Sequence, residues 1–317
     1  MKPIPPSLLT LIHEQTVMVS APATSALAEK LHKQFGDSLQ AILFYGSCLR
    51  SGNYRDGILD LYVLVDSYAS AYRKTGLARL NKLLPPNVFY LEARRGDQLI
   101  RAKYAVLTLD DFRRGTSSRW FHSYLWGRFT QPIGILYQRS ESILQLITKA
   151  RAQSAITFLS RVIPTLPPRF TSRELWQQAF ALSYGAELRP ERPGYAAGLY
   201  EEDKKYYDQL TSLALPALPF RTSCDDTTPI TCQTLISSFS RRCCRRAWKI
   251  RKIQGKILSV LRLLKALLTF HGGVSYIRWK VERHAGIEFQ KPAAGEPETF
   301  FQLCRSFWRA YRQGGFR

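Results

Sequence analysis

The stretch FYGSCLRSGNYRDGILDLYVLVD, residues 44–66, places Gly46 and Ser47 at the end of one apolar run and Asp60 in a second, thirteen residues after Ser47. Small residues let backbone N–H groups and one hydroxyl approach triphosphate oxygens, where a larger side chain would fill the space. A carboxylate on the following strand can then hold Mg²⁺ bridging those phosphates. That is the chemistry of nucleotidyl transfer, with Ser47 and Asp60 as candidate catalytic groups and Gly46 and Ser47 as the phosphate cradle. An ordinary tight turn followed by a strand Asp gives the same bare pattern.

Such sites commonly carry a second carboxylate two residues after the first, but position 62 is Tyr. Asp66 shares the strand face by alternation, yet six residues of strand span roughly 20 Å, too far to share one ion. Glu92 is the candidate second ligand beside Asp60, provided its strand pairs next to that of Asp60.

The elements that must position these groups follow from periodicity. Leu27, Leu31 and Phe35 mark a helix over 23–35 that Gly36-Asp37 ends. AILFY (41–45) and ILDLYVLVD (58–66) read as strands, and 68–84 as a helix stopped by Pro85-Pro86. NVFYLEA and RAKYAVLTL read as two further strands, with Arg95-Gly96-Asp97 as their turn. Beyond Asp110 the chain turns helical, over 117–129, 141–163 and 171–183. Thr171 or Ser172 serves as N-cap of the last, with Glu174 near the capping-box position. Pro190–Gly198 reads as a loop, and the Pro, Thr and Ser-rich stretch 215–231 as a linker. The class is α+β: a mixed sheet flanked by helices, then a helical unit.

A formal charge of +22 over 317 residues, 45% of them hydrophobic, describes a globular protein with an anionic partner: nucleic acid, nucleotide or acidic lipid. Six cysteines form no C-x-x-C pair and read as reduced thiols. No window approaches about 18 uninterrupted apolar residues, which excludes a spanning helix. The N-terminus has neither secretory nor transit-peptide character.

From Thr227 to Val281 there is no Asp or Glu, and twelve residues are Lys or Arg. Within it, KILSVLRLLKALLTF places Lys256, Ser259, Arg262 and Thr269 near helical spacing, beside a wide Leu/Ile/Val face. This suits a helix lying in a membrane interface. Arg241, Arg242, Arg245, Arg246, Lys249, Arg251, Lys252 and Lys256 are the candidate membrane-binding cations, with Trp279, Trp308 and Tyr311 as candidate interfacial aromatics.

LDLYVLVD, QLIRAKYAVLT, DDF, a Tyr-x-x-Gly-Arg-x-x-x-Pro string (Tyr124, Gly127, Arg128, Pro132) and LSYGAELR together resemble the mitochondrial translocator assembly and maintenance family, the peripheral CDP-diacylglycerol synthases, over roughly residues 40–210. The resemblance implies a nucleotidyltransferase domain (1–140), a helical or winged-helix-like domain (141–214), the linker (215–231) and a basic amphipathic membrane-associating tail (232–317). It implies Mg²⁺-dependent reaction of CTP with phosphatidate, giving CDP-diacylglycerol and pyrophosphate. Lys103 and Arg128 match cationic positions and are expected to bind substrate phosphates, Lys103 as a catalytic cation. Tyr184, Glu187 and Arg189 match the second domain's side of the cleft, Tyr184 and Arg189 as substrate-binding residues. The missing presequence points to a bacterial relative on the cytoplasmic face of the inner membrane, with no nucleic acid partner.

One physical argument supports a phosphate acceptor. A phosphate monoester, with a second pKa of about 6, is already a nucleophilic dianion at pH 7. The site must then supply positive charge more than a second carboxylate base. Two other readings share the Gly-Ser site. One is transfer to RNA or a small hydroxyl acceptor. The other is a catalytically degenerate, membrane-tethered nucleotide-binding protein.

Overall fold

The computed structural model describes residues 2–54, 57–96, 98–187, 195–225 and 230–269. Arg189, Trp279, Trp308, Tyr311 and the rest of the expected tail beyond 269 lie outside these residues. In chain order the first half runs α1 (Pro6–Glu14), β1 (Thr16–Met18), α2 (Pro22–Phe35), β2 (Leu39–Tyr45), α3 (Ser47–Ser51), β3 (Ile58–Val65), α4 (Tyr68–Ala71), α5 (Thr75–Leu83), β4 (Asn87–Arg95), β5 (Gln98–Thr108), α6 (Leu109–Thr116), α7 (Tyr124–Phe129) and β6 (Ile133–Gln138). Then follow α8 (Glu141–Val162), β7 (Arg169–Thr171), α9 (Ser172–Gly185), α10 (Tyr195–Glu202), α11 (Lys204–Ala214), β8 (Arg221–Asp225), β9 (Thr231–Leu235) and α12 (Ser238–Thr269).

The six-stranded sheet has the order β1-β6-β2-β3-β5-β4. It is mixed: β1 runs parallel to β6 and β3 parallel to β5, while the other neighbours are antiparallel. Alternation along β3 splits its side chains between two cores. Leu59, Leu61 and Val63 pack with Leu27, Leu31 and Phe35 of α2. Tyr62 and Leu64 face Phe112, Phe129 and Ile147 of α6, α7 and α8. Asp60 shares the face of Tyr62, at the end of the strand where this second core opens.

A third core holds α8, α9 and α11 together through Phe158, Leu159, Trp176, Phe180 and Tyr207, and it also buries Trp248 of α12. The start of α9 is locally determined: Thr171 and Glu174 form a complete capping box.

Several expectations need correction. The helix expected over 68–84 is broken at Tyr72–Lys74 into α4 and α5. There the Tyr72 hydroxyl accepts hydrogen bonds from Asn81 and Asn87, and this polar knot replaces the helical turn. Over 117–129 only α7 is helical, while α6 precedes it. The stretch expected to be a linker carries β8 and the start of β9, joined with β7 in a three-stranded sheet, β7-β9-β8. In that hairpin Cys224 lies opposite Cys232, and the two form a disulfide, so not all six cysteines are thiols.

The last described element, α12, packs on the rest of the protein through buried Arg241, Trp248, Arg251 and Lys265. Arg241 donates to the carbonyls of Leu166 and Ile236, Arg251 Nε to Phe121 O at 2.7 Å, and Lys265 Nζ to the carbonyls of Leu84 and Pro86. Gly255 makes the crossing possible, since a Cβ there would stand 2.0 Å from Ala186 O. Outward, α12 presents Ile250, Ile253, Ile257, Val260, Leu261 and Leu264, among exposed Lys249, Lys252 and Lys256. The amphipathic helix is thus partly inverted: Arg262 and Lys265 turn toward the protein and the isoleucines away from it.

Candidate active site

Three neighbouring strands bring the central residues into one row. Tyr45 on β2 is in register with Asp60 on β3, and Asp60 with Lys103 on β5. Cross-strand partners share a face, so the three side chains emerge together. Lys103 Nζ lies 2.6 Å from Asp60 Oδ1. That oxygen is buried, and the ammonium beside it meets its charge. Asp60 Oδ2 points at Gly46.

Gly46 has φ +91°, in the region that favours glycine, and a Cβ at this position would stand 2.8 Å from Asp60 Oδ2. The Gly-Ser turn is therefore pressed against the strand carboxylate. Ser47 begins α3 with its side chain exposed. The following Cys48 is buried and donates to Ile58 O at 3.5 Å, tying the turn to the start of β3.

Glu92 does not join this row. It is in register with Arg101, and β5 separates its strand from β3. Two strand spacings place its backbone about 10 Å to the side before the further two-residue step along the strand. Its carboxylate receives the Tyr90 hydroxyl at 2.7 Å and faces Arg101 at 3.6 Å. The expected sharing of one ion by Asp60 and Glu92 is not what the sheet builds. Asp66, at the far end of β3, accepts from Ser67 N and the Ser70 hydroxyl at the start of α4.

Arg128 lies beneath the row and is buried. Its guanidinium donates to the Tyr62 hydroxyl at 3.0 Å and to Glu187 Oε2 at 3.4 Å. It also stands over the rings of Tyr45 at 5.1 Å and Tyr124 at 4.3 Å. Arg128, expected to bind substrate phosphate, is a buried cation caged by tyrosines. Burial raises the phenol of Tyr62 well above the ordinary tyrosine value, with Arg128 opposing it. Burial acts the same way on Tyr124, but there Arg128 and Arg262 outweigh it and the phenol falls below the ordinary value. Tyr184 receives a hydrogen bond from Gln131 at 3.3 Å, on the α9 side of this cage.

Two contributors escaped sequence reasoning. Arg262 of α12 stands 4.5 Å from the centre of the Tyr124 ring, opposite in chain terms to everything else in the site. His122 is buried, accepts from Tyr124 N at 3.2 Å through Nδ1, and has no partner for Nε2 among the described residues. Tyr45 carried one usable signal, its place directly before Gly46. Arg262 carried none, because its helix gave no hint of which face meets the sheet.

Mg²⁺ fits the donor set in a limited way. No group of three His, Cys, Asp or Glu able to hold a metal occurs among the described residues. Among the described residues Asp60 offers a carboxylate beside a turn open to phosphate. Magnesium commonly takes one or two carboxylates and completes its shell with water and substrate phosphates. One strand carboxylate is enough for that arrangement, and not for an all-protein cage.

A mixed sheet with a glycine-serine turn held against a strand carboxylate, and basic residues around both, offers what nucleotidyl transfer requires: room for a triphosphate, a ligand for a divalent ion and positive charge. Residues 65–195 match the model of the family described as phosphatidate cytidylyltransferase, mitochondrial. Over that stretch the chain is similar to a family described by its transfer of a cytidylyl group to phosphatidate. The match begins at Val65, after Gly46, Ser47 and Asp60, so the roles of those three rest on geometry. No curated protein matches the chain. The family's description is mitochondrial, which lends nothing to the expected bacterial inner-membrane face. Among the described residues no helix is long and apolar enough to cross a membrane.

Proposed function

We propose that the cytidylyl transfer takes place at the Gly46–Asp60 contact, with CTP phosphates against the Gly46–Ser47 turn and Mg²⁺ on Asp60. The observation that carries this reading is the 2.8 Å approach of a Gly46 Cβ to Asp60 Oδ2, which leaves room there for backbone and nothing larger. Bound at Asp60, the cation would neutralise phosphate charge and polarise the α-phosphoryl group. Ser47 offers its hydroxyl to the triphosphate. Lys103, beside Asp60, supplies a fixed positive charge for the approach of one phosphate to another. Arg128 acts indirectly, fixing Tyr45 and Tyr62 beneath the row. Tyr184 lines the α9 side through Gln131. Glu92 serves the β4–β5 edge rather than the ion, and Arg189, outside the described residues, is retained as a substrate-binding candidate.

The same proposal covers the chain's place in the cell and its division. The isoleucine stripe of α12, with exposed Arg242, Arg245, Arg246, Lys249, Lys252 and Lys256, rests on an anionic membrane surface as a peripheral contact. Arg241 and Arg251, expected among the lipid-facing cations, are buried against the protein and hold the helix in place. The second unit is winged-helix-like, its small sheet β7-β9-β8 beside α8, α9 and α11. Nucleic acid is not its partner.

One observation favours a second reading: Lys103 already occupies the side of Asp60 that an ion would use. A site neutralised by its own ammonium would bind nucleotide without metal and without turnover. Incubation of purified protein with labelled CTP, Mg²⁺ and phosphatidate vesicles separates the two. Labelled lipid that disappears in Asp60→Asn supports cytidylyl transfer. CTP binding that is indifferent to Mg²⁺, with no lipid product, supports the second reading.

A further inference from the structure

A cleft of about 680 Å³ opens beside Ser47, between α3 and the junction of α10 and α11. That volume lies in the range of small-molecule sites. Its lining includes Ser47, Arg50, Tyr54, Glu202 and Asp203, and among the described residues Arg50 is the cation that lines it. Arg50 follows Ser47 by three residues on α3, so Ser47 and Arg50 belong to the same helical turn.

Across the cleft Arg50 meets Glu202, the last residue of α10, with Nε 2.7 Å from Oε2. The arginine side chain is 18% exposed and the glutamate 52%. The neighbouring Asp203 carboxyl is raised by burial, an effect that Arg50 partly offsets. The guanidinium thus shares with Ser47 the lining of one cleft, one helical turn further along α3. Its contact with Glu202 is to a half-exposed carboxylate in a solvent-screened pair, which is cheap to release. Phosphate oxygens match the guanidinium fork bidentately and carry more charge than a carboxylate.

We infer that Arg50 binds the terminal phosphates of the nucleotide, and that Glu202 is a stand-in for them, holding the guanidinium in place and yielding it when the triphosphate enters. Glu202 and the triphosphate compete for the same cation. The inference rests on the reading that the CTP phosphates lie against Gly46–Ser47. It adds a specificity residue on α3 and a gate formed by the end of α10.

The pair makes opposite predictions for its two members. With the full-length protein, CTP, Mg²⁺ and phosphatidate vesicles, Arg50→Ala is expected to raise the KM for CTP by about tenfold or more, leaving the KM for phosphatidate unchanged. Arg50→Lys is expected to recover part of the loss. Glu202→Gln is expected to lower the KM for CTP severalfold, because the competitor is gone. A purely structural ion pair would move both variants the same way and lower Tm in both, and that result would overturn the inference. An unmoved KM for CTP in Arg50→Ala would overturn it as well. Wild-type protein that makes no labelled lipid would instead bring down the underlying reading of the site, and the inference with it.

Discussion

Lys103 and Asp60 stand side by side on adjacent parallel strands, Nζ to Oδ1 at 2.6 Å, so the candidate metal ligand already carries a positive partner. A divalent ion seated at Asp60 must share the carboxylate with this ammonium or push it toward the substrate. Lys103→Ala is expected to lower the Mg²⁺ concentration needed for half-maximal rate while cutting turnover by about 10²-fold, the scale of losing one preorganised charge donor. Mg²⁺ titration of the cytidylyl-transfer rate checks both signs. An unchanged rate would remove Lys103 from the site.

Gly46→Ala tests the turn itself. The new methyl must coexist with Asp60 Oδ2 at 2.8 Å and with φ +91°. Backbone strain of this kind costs about 1–3 kcal/mol. Turnover is expected to fall by at least about 10²-fold, with a modest drop in Tm, and a fully active variant would show that the turn can open without consequence.

Arg128 and Glu187 are both largely buried, and removing one leaves the other uncompensated. Arg128→Leu is expected to destabilise the fold by about 3–5 kcal/mol, the range for breaking a buried pair. Chemical denaturation of the purified variant measures this. A phosphate clamp facing solvent would show the reverse, lost activity at unchanged stability.

The outward and inward faces of α12 separate by mutation. Ile253→Asp with Ile257→Asp touches exposed positions, so Tm is expected to hold while cosedimentation with anionic vesicles falls by about tenfold or more. Trp248→Ala removes a buried ring whose Nε1 donates to Arg161 O at 2.7 Å, and is expected to lower Tm. Unchanged vesicle binding in the double variant would reject the membrane contact.

Burial first, then Arg262, Arg128 and Arg251, push the His122 imidazole from 6.5 down to about 3. The unfolded chain therefore binds one more proton than the native state between those values, and stability must fall as pH drops through 6.5 toward 3. His122→Asn keeps an acceptor for Tyr124 N and removes the titration. Its stability is expected to depend less on pH across this window than that of the wild type, as measured by denaturation at a series of pH values.

How much of this was legible in the sequence depends on the range of the forces involved. The Thr171–Glu174 capping box is local, and it was read correctly. So was the Gly46–Asp60 relationship, since one short connection sets the antiparallel register of β2 and β3. What failed was non-local. The distance from Glu92 to Asp60 depends on β5 entering between their strands, which no spacing reveals. Cys224 and Cys232 face each other only because β8 and β9 pair antiparallel, and a stretch rich in Pro, Thr and Ser conceals that pairing. Periodicity found the amphipathic helix near Lys256 but not the direction of its two faces, because Arg262 and Lys265 satisfy backbone carbonyls of the β4 approach instead of meeting solvent. The strand β6 was missed altogether: it is short, and its partners β1 and β2 lie far away in sequence.

The four inward stations of α12, Arg241, Trp248, Arg251 and Lys265, make that helix a strut and not a leash. With the isoleucine face on a lipid surface, as proposed above, these anchors would set the height of Asp60 over that plane, and an embedded acceptor would be met according to how far its headgroup protrudes.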